Sequence, residues 1–169
     1  MKPLLNSVFA ALLLIAFAAL PSSVSAASLA LDVSSAAPRQ VEDTTASSIE
    51  RDYAHAWSAL SSALQANRAE LLDENFTGAA RDHWQHAIDS QRQNGLSRRI
   101  VDRGHHLRVL FYSLDGSALE AEDLADLEIE YRDGEKVLSS EHVTLRYLVL
   151  LTPAENSWKI RILEELPPA

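Results

Sequence analysis

Residues 124–152 read LADLEIEYRDGEKVLSSEHVTLRYLVLLT, and this stretch decides the fold. From 124 to 131, apolar residues alternate with acidic ones, which is typical of a strand with one buried face. Asp133-Gly134 is a common hairpin turn, and residues 137–152 continue as a second, longer strand. The stretch therefore predicts two long antiparallel strands joined by a hairpin.

This hairpin has to keep the apolar residues of both strands on one face. They occupy odd positions on each side of the turn: Leu127, Ile129 and Tyr131 before it, and Val143, Leu145 and Tyr147 after it. A two-residue loop by itself would pair odd with even positions and expose one of the two sets. We therefore expect either a three-residue loop, Asp133–Glu135, with Gly134 in the left-handed region, or a bulge near Ser139-Ser140.

Two further segments complete the predicted sheet. Residues 107–114, LRVLFYSL, are apolar on both faces, as in an interior strand. Residues 158–166 form the last strand, and Pro167-Pro168 ends it. Together the four segments predict a four-stranded antiparallel sheet.

The residues before the sheet have a helical period instead. The apolar stripe of the first helix consists of Ile49, Tyr53, Ala56, Trp57, Leu60 and Leu64. Ser47 with Glu50, and Asn67 with Glu70, have the form of capping boxes. They predict a first helix from Ser47 and a short second helix over residues 67–76.

A third helix is predicted over residues 79–94, with Trp84 in its apolar stripe and a stop at Asn94-Gly95. The expected fold is α+β: three N-terminal helices packed on the concave face of a bent four-stranded antiparallel sheet, which makes a cone-like domain.

Residues 1–26 have the pattern of an export signal. Lys2 precedes the apolar run VFAALLLIAFAAL over residues 8–20, and Val24-Ser25-Ala26 supplies the small residues that signal peptidase requires. The run is short for a membrane span, which needs about 20 residues. We therefore expect cleavage near Ala26 and export to the periplasm or the exterior, with a retained membrane anchor as the alternative.

The rest of the chain divides by composition. Residues 27–46 are rich in Ser, Ala and Thr and are expected to form a flexible leader. Residues 47–166 are expected to form a single α+β domain, since this length suits one core. Residues 167–169 are left as a tail.

Composition excludes several classes of function. The net charge is −9, so the chain lacks the basic footprint that nucleic acid or an anionic membrane requires. It has no cysteine, which excludes thiol catalysis and cysteine metal sites. His83 and His86 lack the HExxH pattern of a zinc helix and are better explained as surface residues. We expect no metal, no cofactor, no nucleic acid, and no membrane contact beyond the signal segment.

The closing strands resemble those of a known superfamily. Residues 143–147, VTLRY, followed by residues 158–160, WKI, resemble the nuclear transport factor 2-like superfamily, also called SnoaL-like or cystatin-like. The branch that includes the C-terminal domain of chloroplast-division proteins is the most similar one. The resemblance covers about residues 49–166 and implies the cone-like fold. Members include isomerases, dehydratases, cyclases and hydrolases as well as non-catalytic binding domains, so fold membership leaves the function open.

Two side chains are candidates for acid–base chemistry inside the cone. By alternation His105 shares the inner face with Leu107, Val109 and Phe111, and Glu141 shares it with Val143. An inward histidine beside an inward carboxylate can act as general acid and base. Asp102 is a second partner for His105. The alternative is a histidine bonded to a loop carbonyl, and a bulge at Ser139-Ser140 would turn Glu141 outward.

Aromatic side chains dominate the predicted interior. We expect a ligand pocket, suited to a small apolar molecule, lined by Tyr53, Trp57, Trp84, Tyr131 and Tyr147. The inward faces of the helices carry no residue that titrates in a useful range, and this departure from the catalytic members disfavours an enzyme.

The outer face of the sheet is predicted to be less polar than solvent exposure normally permits. An apolar patch of this kind usually marks an interface. The predicted interface residues are Leu110, Tyr112, Arg146, Leu148, Leu150 and Leu163. The alternative is that the C-terminal tail or the loop over residues 116–123 covers this face.

The sequence therefore predicts an exported, non-catalytic binding or assembly module. Its outer sheet face would form a homodimer or dock a protein partner. The alternative function is a small-molecule-binding or isomerase/dehydratase-like protein that uses the cone interior, with His105 and Glu141.

Overall fold

The sheet is larger than the sequence predicts, and it is mixed. The computed structural model describes residues 28–167. Its strands are β1 Ser28–Asp32, β2 Ala37–Pro38, β3 Ser97–Tyr112, β4 Leu119–Asp133, β5 Lys136–Pro153 and β6 Trp158–Leu166. They form one sheet in the order β1-β3-β4-β5-β6, and β2 pairs with β3 beyond β1. The four predicted strands are antiparallel, whereas β1 and β2 run parallel to β3.

Two α-helices, rather than three, precede the antiparallel strands in the described residues. They are α1, Asp43–Ala66, and α2, Gly78–Gln93, and a single 3-10 turn over Ala69–Leu72 stands where the second helix was predicted. Asn67 does not cap that segment, because it ends α1 in the left-handed conformation, with φ of 56°. The α+β class is confirmed, and the predicted counts of three helices and four strands are wrong.

Helix α1 begins earlier than its predicted cap. It starts at Asp43, so Ser47 lies inside the helix, where its hydroxyl donates to the carbonyl oxygen of Asp43 at 2.9 Å. Ser47 therefore satisfies a backbone acceptor of the first turn and does not cap the helix.

The predicted leader contains regular structure. Strand β1 lies within it and pairs with β3, with Leu29 opposite His105 and Leu31 opposite Leu107. Leu29 and Leu31 are partly buried against the core, so the folded domain includes residues from Ser28 onward and does not start at residue 47. The prediction of a flexible leader is wrong for these residues, because two apolar side chains at strand spacing are enough to cover the edge of β3. The predicted signal at residues 1–26 lies outside the described residues.

Two bulges in β3 explain why only its second half was recognised. The strand begins at Ser97, ten residues before the predicted start at 107. Its register against β4 shifts between Asp102 and Gly104 and again between Val109 and Phe111. Each extra residue reverses the alternation that identifies a strand in sequence.

The β4–β5 hairpin has a two-residue loop followed by a bulge, which is the second of the two predicted arrangements. Asp133 pairs with Lys136, so the loop is only Gly134-Glu135, and Gly134 has φ of 57°. The register then shifts, since Arg132 pairs with Val137 and Tyr131 with Ser139, which leaves Leu138 as the bulged residue. Odd positions face odd positions beyond this bulge, as predicted, and the three-residue loop is wrong.

The helices cover one face of the sheet, called here the inner face. Trp57 and Leu60 of α1 and Trp84 of α2 are buried there, as the sequence predicts. The hydroxyl of Ser61 ties α1 to β3 by donating to the carbonyl oxygen of Ile100 at 2.7 Å. Within residues 28–167, no helix combines the length and the apolar character needed to cross a membrane.

Strand β1 should contribute measurably to stability. Replacing Leu31 by Asp puts a carboxylate against the core, and we expect the free energy of unfolding to fall by about 2 kcal/mol, the scale for losing a partly buried leucine. Urea titration followed by tryptophan fluorescence measures the change. Ser35→Asp, in the exposed turn after β1, is the control. Equal stability of the two variants would mean that β1 is dispensable.

Candidate functional site

The structure separates the predicted site residues into a buried cluster and a cleft. His105, Tyr53 and Trp57 belong to the buried cluster, together with Asp123, which the sequence analysis did not select. Trp84, Tyr131, Glu141 and Tyr147 line a cleft between α2 and the inner face, called here the α2 cleft. The two sites have different chemistry and are described in turn.

Asp123 is the centre of the buried cluster. Its Oδ2 accepts a hydrogen bond from the Tyr53 hydroxyl at 2.7 Å and lies 2.7 Å from Nδ1 of His105. Nε2 of His105 lies 3.2 Å from Oδ2 of Asp102, although the angles do not make this a good hydrogen bond. The four residues come from three elements: Tyr53 from α1, Asp102 and His105 from β3, and Asp123 from β4.

The charges of the cluster favour a protonated histidine. Burial would lower the pKa of His105, but its close contact with Asp102, its hydrogen bond to Asp123 and the charges of both carboxylates raise it to about 9. His105 is therefore an imidazolium at neutral pH, paired with the fully buried Asp123. Burial, followed by the charge of Asp123, raises the pKa of Tyr53 well above its usual value. The phenol consequently stays protonated and donates to Asp123.

The cluster is closed to a substrate. The side chains of His105 and Asp123 are 2% and 0% exposed. The ring of Trp57 packs against His105 at a centroid distance of 4.6 Å, and Tyr147 packs against Trp57 at 5.7 Å. General acid–base catalysis requires hydrogen-bond contact with the reacting group. The cluster joins α1 to β3 and β4, and its geometry is that of a structural centre.

The predicted pair of His105 and Glu141 is not formed. His105 pairs across the sheet with Ala125, and Ala125 pairs with Leu145. Leu145 is four residues along β5 from Glu141, a separation of roughly 13 Å. Glu141 is also exposed, since it lies near the hairpin end of the sheet. The second predicted partner, Asp102, does lie beside His105.

Asp123 was missed because its strand begins five residues before the predicted start at 124. β4 starts at Leu119, and its inward positions are Leu119, Ala121, Asp123, Ala125, Leu127 and Ile129. Asp123 is the single acid in that row. An acidic residue at an inward-facing position of an otherwise apolar strand is the signal that would have identified the partner of His105.

The α2 cleft has a volume of about 470 Å³ and an apolar wall. Ile100, Leu127 and Ile129 form part of this wall, and Tyr131 and Tyr147 supply aromatic surface. Burial raises the pKa of Tyr147, with the charges of Glu165 and Asp123 adding to it and that of Arg98 opposing. Tyr53 and Trp57, predicted to line this pocket, are instead buried beneath it.

Arg98 is the cation of the α2 cleft. Its guanidinium lies over the ring of Tyr131, 5.7 Å from the centroid, and it forms no ion pair within residues 28–167. Its Nε is buried without a hydrogen-bond partner. Within the same residues, no group of three histidine or acidic side chains is placed to hold a metal ion.

The outer face of the sheet carries only part of the predicted interface. Leu110 is 36% exposed, and Leu148 and Leu150 are half-buried on this face. Tyr112 and Leu163 are buried in the core at 3% and 7% exposure, so their outward assignment is wrong. The bulges at Leu110 in β3 and at Arg161 in β6 turn them inward.

The same two bulges turn other apolar residues outward. Phe111, predicted inside, is 41% exposed, and it pairs with Glu120 on the outer face. Ile162 lies beside Leu150 across β5 and β6. We call the resulting surface the outer patch, and it consists of Leu110, Phe111, Leu124, Leu148, Leu150 and Ile162. Leu124 is 47% exposed, so the β3–β4 loop does not cover it, and residues 168–169 of the predicted tail lie outside the described residues.

Comparison with known proteins identifies the fold. The intermembrane space region of the chloroplast protein ARC6 superposes with a TM-score of 0.64 and 20% identity, covering 78% of this chain and 100% of that one. A putative dehydratase of the NTF2-like family from Streptomyces avermitilis superposes with a TM-score of 0.45 and 8% identity, covering 70% of this chain and 95% of that one. A putative scytalone dehydratase from Novosphingobium aromaticivorans superposes with a TM-score of 0.44 and 14% identity, covering 70% of this chain and 80% of that one.

These likenesses concern the fold alone. The nuclear transport factor 2-like fold that the sequence predicts is confirmed. No protein-family model matches the chain, and no curated protein matches it in sequence.

The His105 cluster predicts a particular pH dependence of stability. The folded pKa of His105, about 9, is above its unfolded value near 6.5. The stabilisation of the folded state by protonated His105 is therefore complete below pH 6.5 and is lost as the pH rises toward 9. We expect the free energy of unfolding to fall over this interval by up to about 3 kcal/mol, at about 1.4 kcal/mol per unit.

Urea titrations of wild type and His105→Gln between pH 6 and 10 test this dependence. The variant should be less stable at pH 6 and should show a much smaller slope. His106→Gln is the control, because His106 is exposed on the outer face. Parallel pH curves for wild type and His105→Gln would contradict the assignment. An NMR titration of His105 in the wild type gives the same pKa without a variant.

Proposed function

We propose that this protein is an exported, non-catalytic assembly module that binds a second copy of itself through the outer patch. The observation that carries this proposal is the exposure of large apolar side chains on a sheet face that no described helix covers. Phe111 and Leu124 are 41% and 47% exposed there. Aromatic and aliphatic side chains of this kind form the centres of protein interfaces.

The apolar part of the patch spans four strands. Phe111 of β3, Leu150 of β5 and Ile162 of β6 lie in one cross-strand row, interrupted by Glu120 of β4. Leu148 lies in the next row. Burying such a row against its copy removes apolar area from water on both partners, at about 25 cal/mol per Å².

The charges around the patch favour a second copy as the partner. Arg108 and Arg146 both bond to Glu122, which leaves one positive charge in excess. Glu120 and Glu164 flank the same rows and form no ion pair within the described residues. In a two-fold arrangement the arginines of one copy have acidic partners on the other, and the interface is self-complementary.

The non-catalytic part of the proposal is supported by the closure of the His105 cluster. A histidine–carboxylate pair is present, but both side chains are buried and neither lines the cleft. Glu141, which does border the cleft, is far from His105. The fold is shared with proteins whose names describe both enzymes and a region of a chloroplast protein, so the fold itself does not choose between these functions.

Mutation of the outer patch tests self-association. We expect the wild type to be dimeric in multi-angle light scattering at micromolar concentration, and Phe111→Asp and Leu124→Asp to be monomeric, because each buries a charge in the interface. Val137→Asp is the matched control, since Val137 is equally exposed at 45% but lies on the hairpin tip. A monomeric wild type, or a dimer that both patch variants leave intact, would overturn the proposal.

Export is tested by the mass of the protein produced in its own host. Cleavage after Ala26 should leave a mature chain that begins at Ala27. Ala26→Arg should leave the full-length precursor, because signal peptidase requires a small residue there. Ser22→Ala is the control outside the small-residue motif. A native protein that retains Met1 in the membrane fraction would support the uncleaved anchor instead.

A second candidate function is non-covalent binding of a small molecule in the α2 cleft. The observation that favours it is a cleft of about 470 Å³ with an apolar, aromatic wall that includes Trp84, Tyr131 and Tyr147. This volume lies within the usual range of ligand pockets, about 300–1,000 Å³. The cleft and the outer patch lie on opposite faces of the sheet, so one protein can use both.

A further inference from the structure

The α2 cleft contains buried hydrogen-bond donors without acceptors. Trp84 is only 7% exposed, and its indole N–H has no partner among the described residues. The Nε–H of Arg98 is also buried and has no hydrogen-bond partner among the described residues. Buried donors in proteins are almost always satisfied, and an unpaired one is costly. Both residues line the cleft, but these two N–H groups have almost no accessible surface, so the end of the half-buried Arg98 guanidinium is the group that a molecule bound there can reach.

The charge of Arg98 is also left without a counter-ion. The adjacent Arg99 points to the outer face, where its Nη1 lies 3.3 Å from Oε1 of Glu130. Arg98 points to the inner face, where it contacts the ring of Tyr131 and forms no ion pair within residues 28–167. A guanidinium remains protonated in proteins. The inner end of β3 therefore presents a permanent positive charge to an apolar cleft.

The acidic residues of the cleft do not replace this missing partner. Glu141 and Glu165 also line it, but both are exposed, and water satisfies them. His83 is exposed on the α2 side. The guanidinium of Arg98 thus attracts an anion, while the two carboxylates at the rim disfavour more than one negative charge. A ligand with a single anionic group meets both conditions.

We propose that the α2 cleft binds a small monoanionic amphiphile. Its flat apolar body would lie against Trp84, Tyr131 and Tyr147, and its carboxylate- or sulfonate-type head group would bind the guanidinium of Arg98. This inference rests on the second candidate function. It adds the chemical class of the ligand, which differs from the purely apolar ligand that the sequence suggests.

Two fluorescent probes with similar bodies test the class. 8-Anilino-1-naphthalenesulfonate carries one sulfonate, and N-phenyl-1-naphthylamine is the same molecule without it. We expect the sulfonate probe to bind the wild type at least tenfold more tightly, since a charge-assisted hydrogen bond is of this size. Arg98→Gln should remove that preference and leave the affinity for the neutral probe unchanged. Arg98→Lys should restore part of it.

Matched variants locate the binding. Arg99→Gln removes a neighbouring arginine from the outer face and should have no effect. Phe111→Asp should have none either, which excludes the outer patch as the binding surface. Circular dichroism confirms that each variant is folded.

The outcomes distinguish this inference from the function on which it rests. If both probes bind with equal affinity, or if Arg98→Gln leaves the sulfonate preference intact, the cleft binds small molecules and the proposed ligand class is wrong. If neither probe binds the folded wild type, both the ligand class and the cleft function are wrong. The comparison of the two probes on the wild type decides the question even where Arg98→Gln does not fold.

Discussion

The carboxylate of Asp123 lies entirely inside the protein, and it holds the two layers of the fold together. It accepts a hydrogen bond from Tyr53 of α1 and pairs with His105 of β3, while its own strand is β4. A buried carboxylate is tolerated only when it is paired and hydrogen-bonded, so these three side chains constrain one another. The position of α1 on the sheet follows from this constraint.

The same cluster determines which chemistry the interior can perform. His105 is the residue that sequence reasoning would choose as a catalyst, yet its partners make it a permanent imidazolium at neutral pH and Trp57 closes it off. The accessible part of the interior is instead the α2 cleft, whose Arg98 is a fixed charge rather than a titrating group. An interior of this kind is suited to non-covalent binding, and the outer patch on the opposite face provides a separate surface for assembly.

Much of the fold was predictable because its strongest signals are local. Alternation in β4 and β5, the turn at Gly134, the apolar stripe of α1 and the stop at Gly95 depend on residues close in sequence, and all four are present. The errors on the outer face have a common cause. Bulges at Leu110 and Arg161 each shift the alternation of a strand by one residue. As a result Phe111 and Ile162 lie on the outer face, where Tyr112 and Leu163 were predicted. A single extra residue leaves no trace in composition.

The candidate site was less predictable, since it depends on pairings between distant residues. The sequence by itself determined the α+β class, an inner position for His105 and the aromatic character of the interior, because these follow from periodicity and residue type. Only the tertiary structure decided that His105 meets Asp123 rather than Glu141, that β1 completes the sheet, and that Arg98 faces the cleft unpaired. Strand register and bulges fix these contacts, and register is set by the packing of the whole sheet against its helices.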